Sequence, residues 1–184
     1  MTRSPQFHRL NMQAFAGEGA SLSETTSLQN LQRLAKESKG LQPDLSVSWQ
    51  AHGELRAASG SSDAAGEEQD VWLHLQATTS MPLSCQRCLG PVMVALEVDR
   101  WYRFVASEEI AMAEDDQSDE DLLVMEPQFD LLAVLEDELL MALPLVPMHD
   151  QCPVAPTLST GEIDLLELAA EKPNPFAVLA KLKK

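Results

Sequence analysis

The chain has 184 residues, 45% of them hydrophobic, with a formal net charge of −16 and a pI of about 4.4. That length and apolar share suit one globular core and exclude disorder of the whole chain. The charge disfavours broad binding to phosphate backbones and favours contact with basic proteins, although acidity also serves solubility alone.

Residues 1–15 lack the apolar run of a secretory signal. No segment approaches the roughly 20 apolar residues that a bilayer span requires. Three cysteines, Cys85, Cys88 and Cys152, are too few and odd in number for a disulfide framework. Free thiols suit a reducing compartment, so the expected location is cytoplasmic.

Residues 7–15 read as an edge strand of poor periodicity. Residues 27–40 predict a helix, because Leu28, Leu31 and Ala35 recur at helical spacing and Leu34 widens the stripe. Ser27 suits its start, and Gly40 can take the left-handed conformation at its end.

Three strands are expected next. Residues 45–49 alternate Leu45, Val47 and Trp49 with serines. Residues 71–77 place Val71, Leu73, Leu75 and Ala77 on one face, and Trp72, His74 and Gln76 on the other. Residues 92–104 put Val92, Val94, Leu96, Val98, Arg100, Tyr102 and Phe104 on one face. Alternation of this kind signals a half-buried sheet. A bend is expected at Asp99 and Arg100, where the apolar face is interrupted. Residues 57–70 are small, polar and glycine-containing, and read as a flexible hairpin loop.

The acidic stretch from Glu108 to Asp121 reads as a solvated loop. A short strand is expected at residues 122–125. Residues 130–143 predict the clearest helix, with Leu131, Leu135 and Leu139 four apart, Asp130 as cap, and Pro144 and Pro147 as stops. Glu136, Asp137 and Glu138 are assigned to its wet outer face. Residues 151–184 read as a mobile linker and a basic C-terminal segment. There Lys172, Lys181, Lys183 and Lys184, with Phe176 and Leu179 on one face, form a candidate partner-binding element. The order predicts an α+β fold: a small antiparallel sheet with two packed helices and a loosely ordered basic tail, with residues 1–150 as the single domain.

Cys85 and Cys88 form a C-x-x-C, and His149 with Cys152 an H-x-x-C. Two short chelating pairs are the common build of a structural zinc site, which makes these four residues a candidate metal set. The charge of Arg87 would favour thiolates. Thiol–disulfide exchange is the rival reading, but it usually places the first cysteine at a helix N-terminus, whereas this motif joins two strands. A tight turn with incidental thiols is the third. No phosphate-binding loop, dinucleotide fingerprint or nucleophile elbow is present. Trp49, Trp72 and Trp101 are read as sheet residues, with base stacking on an exposed sheet face as an alternative.

Three blocks carry a family resemblance. Leu83-Ser-Cys-Gln-Arg-Cys-Leu-Gly-Pro91 resembles the central motif of the bacterial YceD family, the large ribosomal RNA subunit accumulation proteins. Residues 130–150 and 172–184 resemble its second and C-terminal blocks, in family order, with an extra lysine at position 183. Some relatives carry more cysteines near the C-terminal block, where this chain has Cys152 beside His149. The resemblance implies a non-catalytic factor for synthesis, processing or accumulation of large-subunit ribosomal RNA. It brings no catalytic or cofactor-binding residue. The partner it implies is a precursor of that RNA or a basic ribosomal protein, with neither membrane nor DNA. Other readings are an acidic holder for one basic large-subunit ribosomal protein and, behind it, an enzyme: a thiol oxidoreductase or a nuclease.

Overall fold

A computed structural model describes residues 7–40, 43–57 and 69–153. All of these but Pro153 belong to one compact unit. The fold is α+β. In chain order it runs α1 (Met12–Gly17), β1 (Ser21–Ser27), α2 (Gln32–Glu37), β2 (Ser46–Ala57), β3 (Gln69–Ser84), β4 (Pro91–Val105), α3 (Glu108–Glu114), β5 (Asp121–Val124) and α4 (Leu131–Met141). The sheet order is β1-β2-β3-β4-β5, antiparallel except for the parallel β4–β5 edge. No helix among the described residues is long and apolar enough to cross a membrane.

The alternation read from the sequence sets the two faces of the sheet. Val47, Trp49 and Ala51 of β2, Val71, Leu73, Leu75 and Ala77 of β3, and Leu96, Val98, Tyr102 and Phe104 of β4 are buried on one face. Alternate residues of a strand point to opposite sides, so one register buries the whole apolar set. Leu131, Leu135 and Leu139 of α4 and Leu34 of α2 join the same core. Asp130 caps α4 as expected, its Oδ1 accepting from the Ala133 N–H at 3.0 Å. Gly40 has φ +85°, the left-handed conformation read from its position.

Several expectations are corrected. Residues 7–15 form no strand. Leu10 bridges Phe129, and α1 follows, capped by the Asn11 side chain on the Ala14 N–H. The helix expected at residues 27–40 is shorter. Ser27 ends β1 and makes no side-chain cap, a 3-10 turn spans Leu28–Asn30, and α2 begins at Gln32. The acidic stretch is not a loop but holds α3, whose N-terminus is capped by Ser107 and faces Glu108 and Glu109. Acids in a first helical turn complement the helix dipole, which local charge density alone conceals. The pairing runs through Gln76↔Asp99 and Leu75↔Arg100 without a bulge. Arg100 instead reaches across the helix-covered face to Glu138, at 3.7 Å.

The acidic triplet of α4 is the largest correction. Glu136 and Glu138 are only 8% and 9% exposed. The Glu136 carboxylate accepts from the Arg33 N–H (2.6 Å), the Leu34 N–H (3.1 Å) and Arg33 Nε (2.9 Å). It thus occupies the free N–H groups at the start of α2, which has no side-chain cap of its own. Asp137 meets the same guanidinium from the exposed side. Burial pushes the pKa of the Tyr102 phenol up, and the neighbouring Glu138 carboxylate adds to the effect.

Glu136→Gln should destabilise the protein by about 1–3 kcal/mol, because an amide cannot serve all three donors. Asp137→Asn should cost no more than about 0.5 kcal/mol, as an exposed ion pair does. Urea denaturation read by circular dichroism checks both. Gly53→Ala would set a Cβ 2.5 Å from Phe15 Cδ1 and 3.1 Å from the Ala16 Cα. Overpacking of that kind should lower stability by about 1–3 kcal/mol in the same assay.

Candidate functional site

The β3–β4 hairpin turns through Cys85–Gly90. The Cys85 N–H donates to the Gly90 carbonyl at 2.8 Å, and the Leu89 N–H donates to the Cys85 carbonyl at 2.9 Å. Leu89 takes φ +59° to close the turn, a conformation that is uncommon outside glycine. The tight turn brings both thiols to one end of the hairpin. The segment after α4 crosses this end, where the Pro147 carbonyl accepts from the Gln86 N–H at 2.9 Å. That crossing carries His149 and Cys152 to the turn.

The ligand atoms of Cys85, Cys88, His149 and Cys152 all lie within 4.8 Å of one another. Cys85 Sγ is 4.0 Å from Cys152 Sγ, and Cys88 Sγ is 3.5 Å from His149 Nδ1. His149 Nε2 donates to the Pro91 carbonyl at 3.0 Å, so that in the neutral ring Nδ1 is the lone-pair nitrogen, and it faces the thiols. Cys85 is fully buried. The backbone N–H of Cys88 is the main cause that lowers the Cys85 thiol to about 5, with those of His149 and Arg87 assisting against burial. Arg87 thus acts through its backbone rather than, as its charge suggested, through its guanidinium. Burial pushes the Cys152 thiol up, and the Cys88 and Cys85 sulfurs push it further. The cluster is therefore suited to hold one cation among sulfurs and an imidazole, or to exchange thiols. Leu89, Leu145, Val146 and Met148 stand exposed on the turn and the crossing segment.

A second feature lies at the other end of the same hairpin, on the face that no core residue uses. His74 stacks on Trp101, with ring centroids 4.1 Å apart and planes at 3°. The Arg56 guanidinium sits 4.2 Å from the Trp72 ring centroid and 4.0 Å from that of Trp101. Carboxylates rim this stack: Glu54 pairs with Arg56, Asp99 accepts from His74 Nε2 at 2.7 Å, and Asp70, Glu114 and Glu120 surround Arg103. The hydrogen bond from His74, and then that from Gln76, holds the Asp99 carboxyl below its ordinary value. Trp49 belongs instead to the core, edge-on to Phe7 and donating to Thr26 Oγ1. The sequence pattern placed Trp72 and His74 on this face, but the approach of Arg56 depends on the register of β2 against β3 (Arg56↔Asp70).

A 570 Å³ groove over β1, β2 and β3 is lined mainly by serine, threonine and glutamine, with Glu24 as its one acid, and presents no nucleophile–base pair. The tail residues Lys172, Phe176, Leu179, Lys181, Lys183 and Lys184 lie outside the described residues.

Residues 73–183 match the family model described as large ribosomal RNA subunit accumulation protein YceD. A protein of that name from Haemophilus influenzae is 42% identical over 110 residues, which cover 55% of this chain and 59% of the relative. The alignment thus spans under two thirds of the relative's length. No solved structure matches the chain.

The stack on the open face should be energetically real. A double-mutant cycle on Arg56→Ala and Trp101→Ala, read by urea denaturation, should give a coupling of about 0.5–1 kcal/mol.

Proposed function

The chain belongs to the YceD family, and from that membership we propose that it supports accumulation of large-subunit ribosomal RNA as a non-catalytic factor. The observation that carries the reading is the family match over residues 73–183, which holds the cysteine turn, the α4 block and the C-terminal lysine block together. The coarse role rests on the family. The finer reading is that the factor acts by contact, through the large-subunit RNA precursor or one of its proteins.

The surface favours a protein over bare RNA as the direct contact. The net charge of −16 repels phosphate. The two open-face tryptophans already hold a guanidinium, and their rim is acidic. An arginine- or lysine-rich segment is drawn by the net negative charge of the body, while the stack shows that this face accommodates a guanidinium between aromatic rings and carboxylates, with Arg56 in that place. This supports the second reading, an acidic holder for one basic large-subunit ribosomal protein. The lysine tail, with Phe176 and Leu179, is proposed as a separate docking element, with the opposite charge to the body.

The test begins with loss of the gene and return of the intact chain. Loss should lower the ratio of large- to small-subunit ribosomal RNA, and the chain should restore it. An unchanged ratio overturns the role. Sedimentation of the lysate then separates the two contacts. Migration with large-subunit precursors that is abolished by RNase indicates RNA-dependent work. Migration with one basic ribosomal protein in light fractions, insensitive to RNase and weakened by salt, indicates the holder. Removal of residues 172–184 should weaken recovery of large-subunit components several-fold; full recovery would remove the tail from the account.

A further inference from the structure

The geometry points to a structural zinc site made by Cys85, Cys88, His149 and Cys152, which we propose clamps the segment after α4 onto the β3–β4 turn. This inference does not depend on the ribosomal role, and it would hold for a protein of any function with this arrangement.

All four ligand atoms lie within 4.8 Å of one another, and two of the separations match a tetrahedron closely. With Zn–S bonds of about 2.3 Å, the sulfurs of a tetrahedral site lie about 3.8 Å apart, and a sulfur and a ring nitrogen somewhat closer. The Cys85–Cys152 sulfurs are 4.0 Å apart, and the Cys88 sulfur is 3.5 Å from His149 Nδ1. The C-x-x-C turn has the backbone of a metal knuckle: the chain reverses between Cys85 and Gly90, and the two thiols are left on the same side. The imidazole is oriented by an interaction outside the cluster, since Nε2 is occupied by the Pro91 carbonyl. Such an outer hydrogen bond fixes the tautomer that a metal-bound histidine needs.

The donor set also decides between metals and roles. Three thiolates and one imidazole suit zinc over the hard cations magnesium and calcium, which take oxygen. Four protein ligands leave no open position for water or substrate, so the ion is structural rather than catalytic. Three thiolates and a neutral histidine carry −3, and the ion brings the centre to −1. Its mechanical effect follows from topology. The turn belongs to the sheet, whereas His149 and Cys152 belong to a segment that the sheet's ladder does not reach. Two hydrogen bonds, Gln86 N–H to the Pro147 carbonyl and His149 Nε2 to the Pro91 carbonyl, already tie this segment to the hairpin, and the ion would add four bonds in place of the weak contacts among the thiols and the imidazole.

The test uses the full chain, purified with reductant and without added metal. Zinc measured by mass spectrometry should be about one per chain. After removal by chelator at low pH, titration of the metal-free chain with cobalt(II) should give one equivalent of strong visible absorption, typical of a tetrahedral thiolate site, which zinc abolishes. Cys85→Ser, Cys88→Ser and Cys152→Ser should each weaken zinc binding at least tenfold. His149→Cys should keep one zinc per chain and shift the cobalt bands toward an all-sulfur site. That variant keeps the test decisive where a serine variant fails to fold. Less than a tenth of a zinc per chain, with all three thiols reduced and no cobalt absorption, overturns the site. So does weak cobalt absorption of octahedral type, which would place the ion on surface acids.

Discussion

The unbroken pairing of β3 with β4 is the constraint on which the rest of the molecule depends. Residues Val71 to Ser84 face Phe104 to Pro91 in one register. That register decides which side chains meet α4 in the core and which form the open face. It also decides where the hairpin reverses. A slip of one residue would turn either Leu73 and Leu75 or Leu96 and Val98 outward, and the loss of their burial makes such a slip prohibitive. The cysteine turn and the tryptophan stack are therefore positioned by core packing: the turn joins the core through the buried Cys85, and the stack lies on the opposite face of the sheet.

The acids of this protein do three different kinds of work. Glu136 is structural: it serves the uncapped start of α2 from another helix, so α2 depends on α4. Glu114, Glu120 and Asp70 are spent on one arginine, Arg103. Others remain toward solvent and set the field that a partner meets at a distance. The net charge alone cannot separate these roles. Pairing distances and burial separate them, and they leave a smaller acidic surface than the composition implies.

The sheet was legible because burial imposes a period of two, and Val71 to Ala77 carry it without a break. β1 was not legible: Ser21–Ser27 has a single large apolar residue, Leu22, and lies at an edge where one side needs no apolar face. α1 was hidden by its length, six residues, which leaves too few positions for a helical period. The burial of Glu136 and Glu138 depends on Arg33 and Arg100, residues far away in the chain, and no local pattern carries that. The metal set was legible as two pairs but not as one cluster. Its closure depends on the crossing at Pro147, a backbone contact with no side-chain signature.

The length of the hairpin has a consequence of scale. At about 3.4 Å per residue, the distance along β3 from Trp72 to Ser84 is about 40 Å. The aromatic stack stands at one end of that span and the cysteine turn at the other. A single peptide side chain or nucleotide cannot touch both. A partner that engages both ends must itself be the size of a folded domain or an extended polymer, and the sheet between them then works as a ruler that fixes how far apart its two footholds lie.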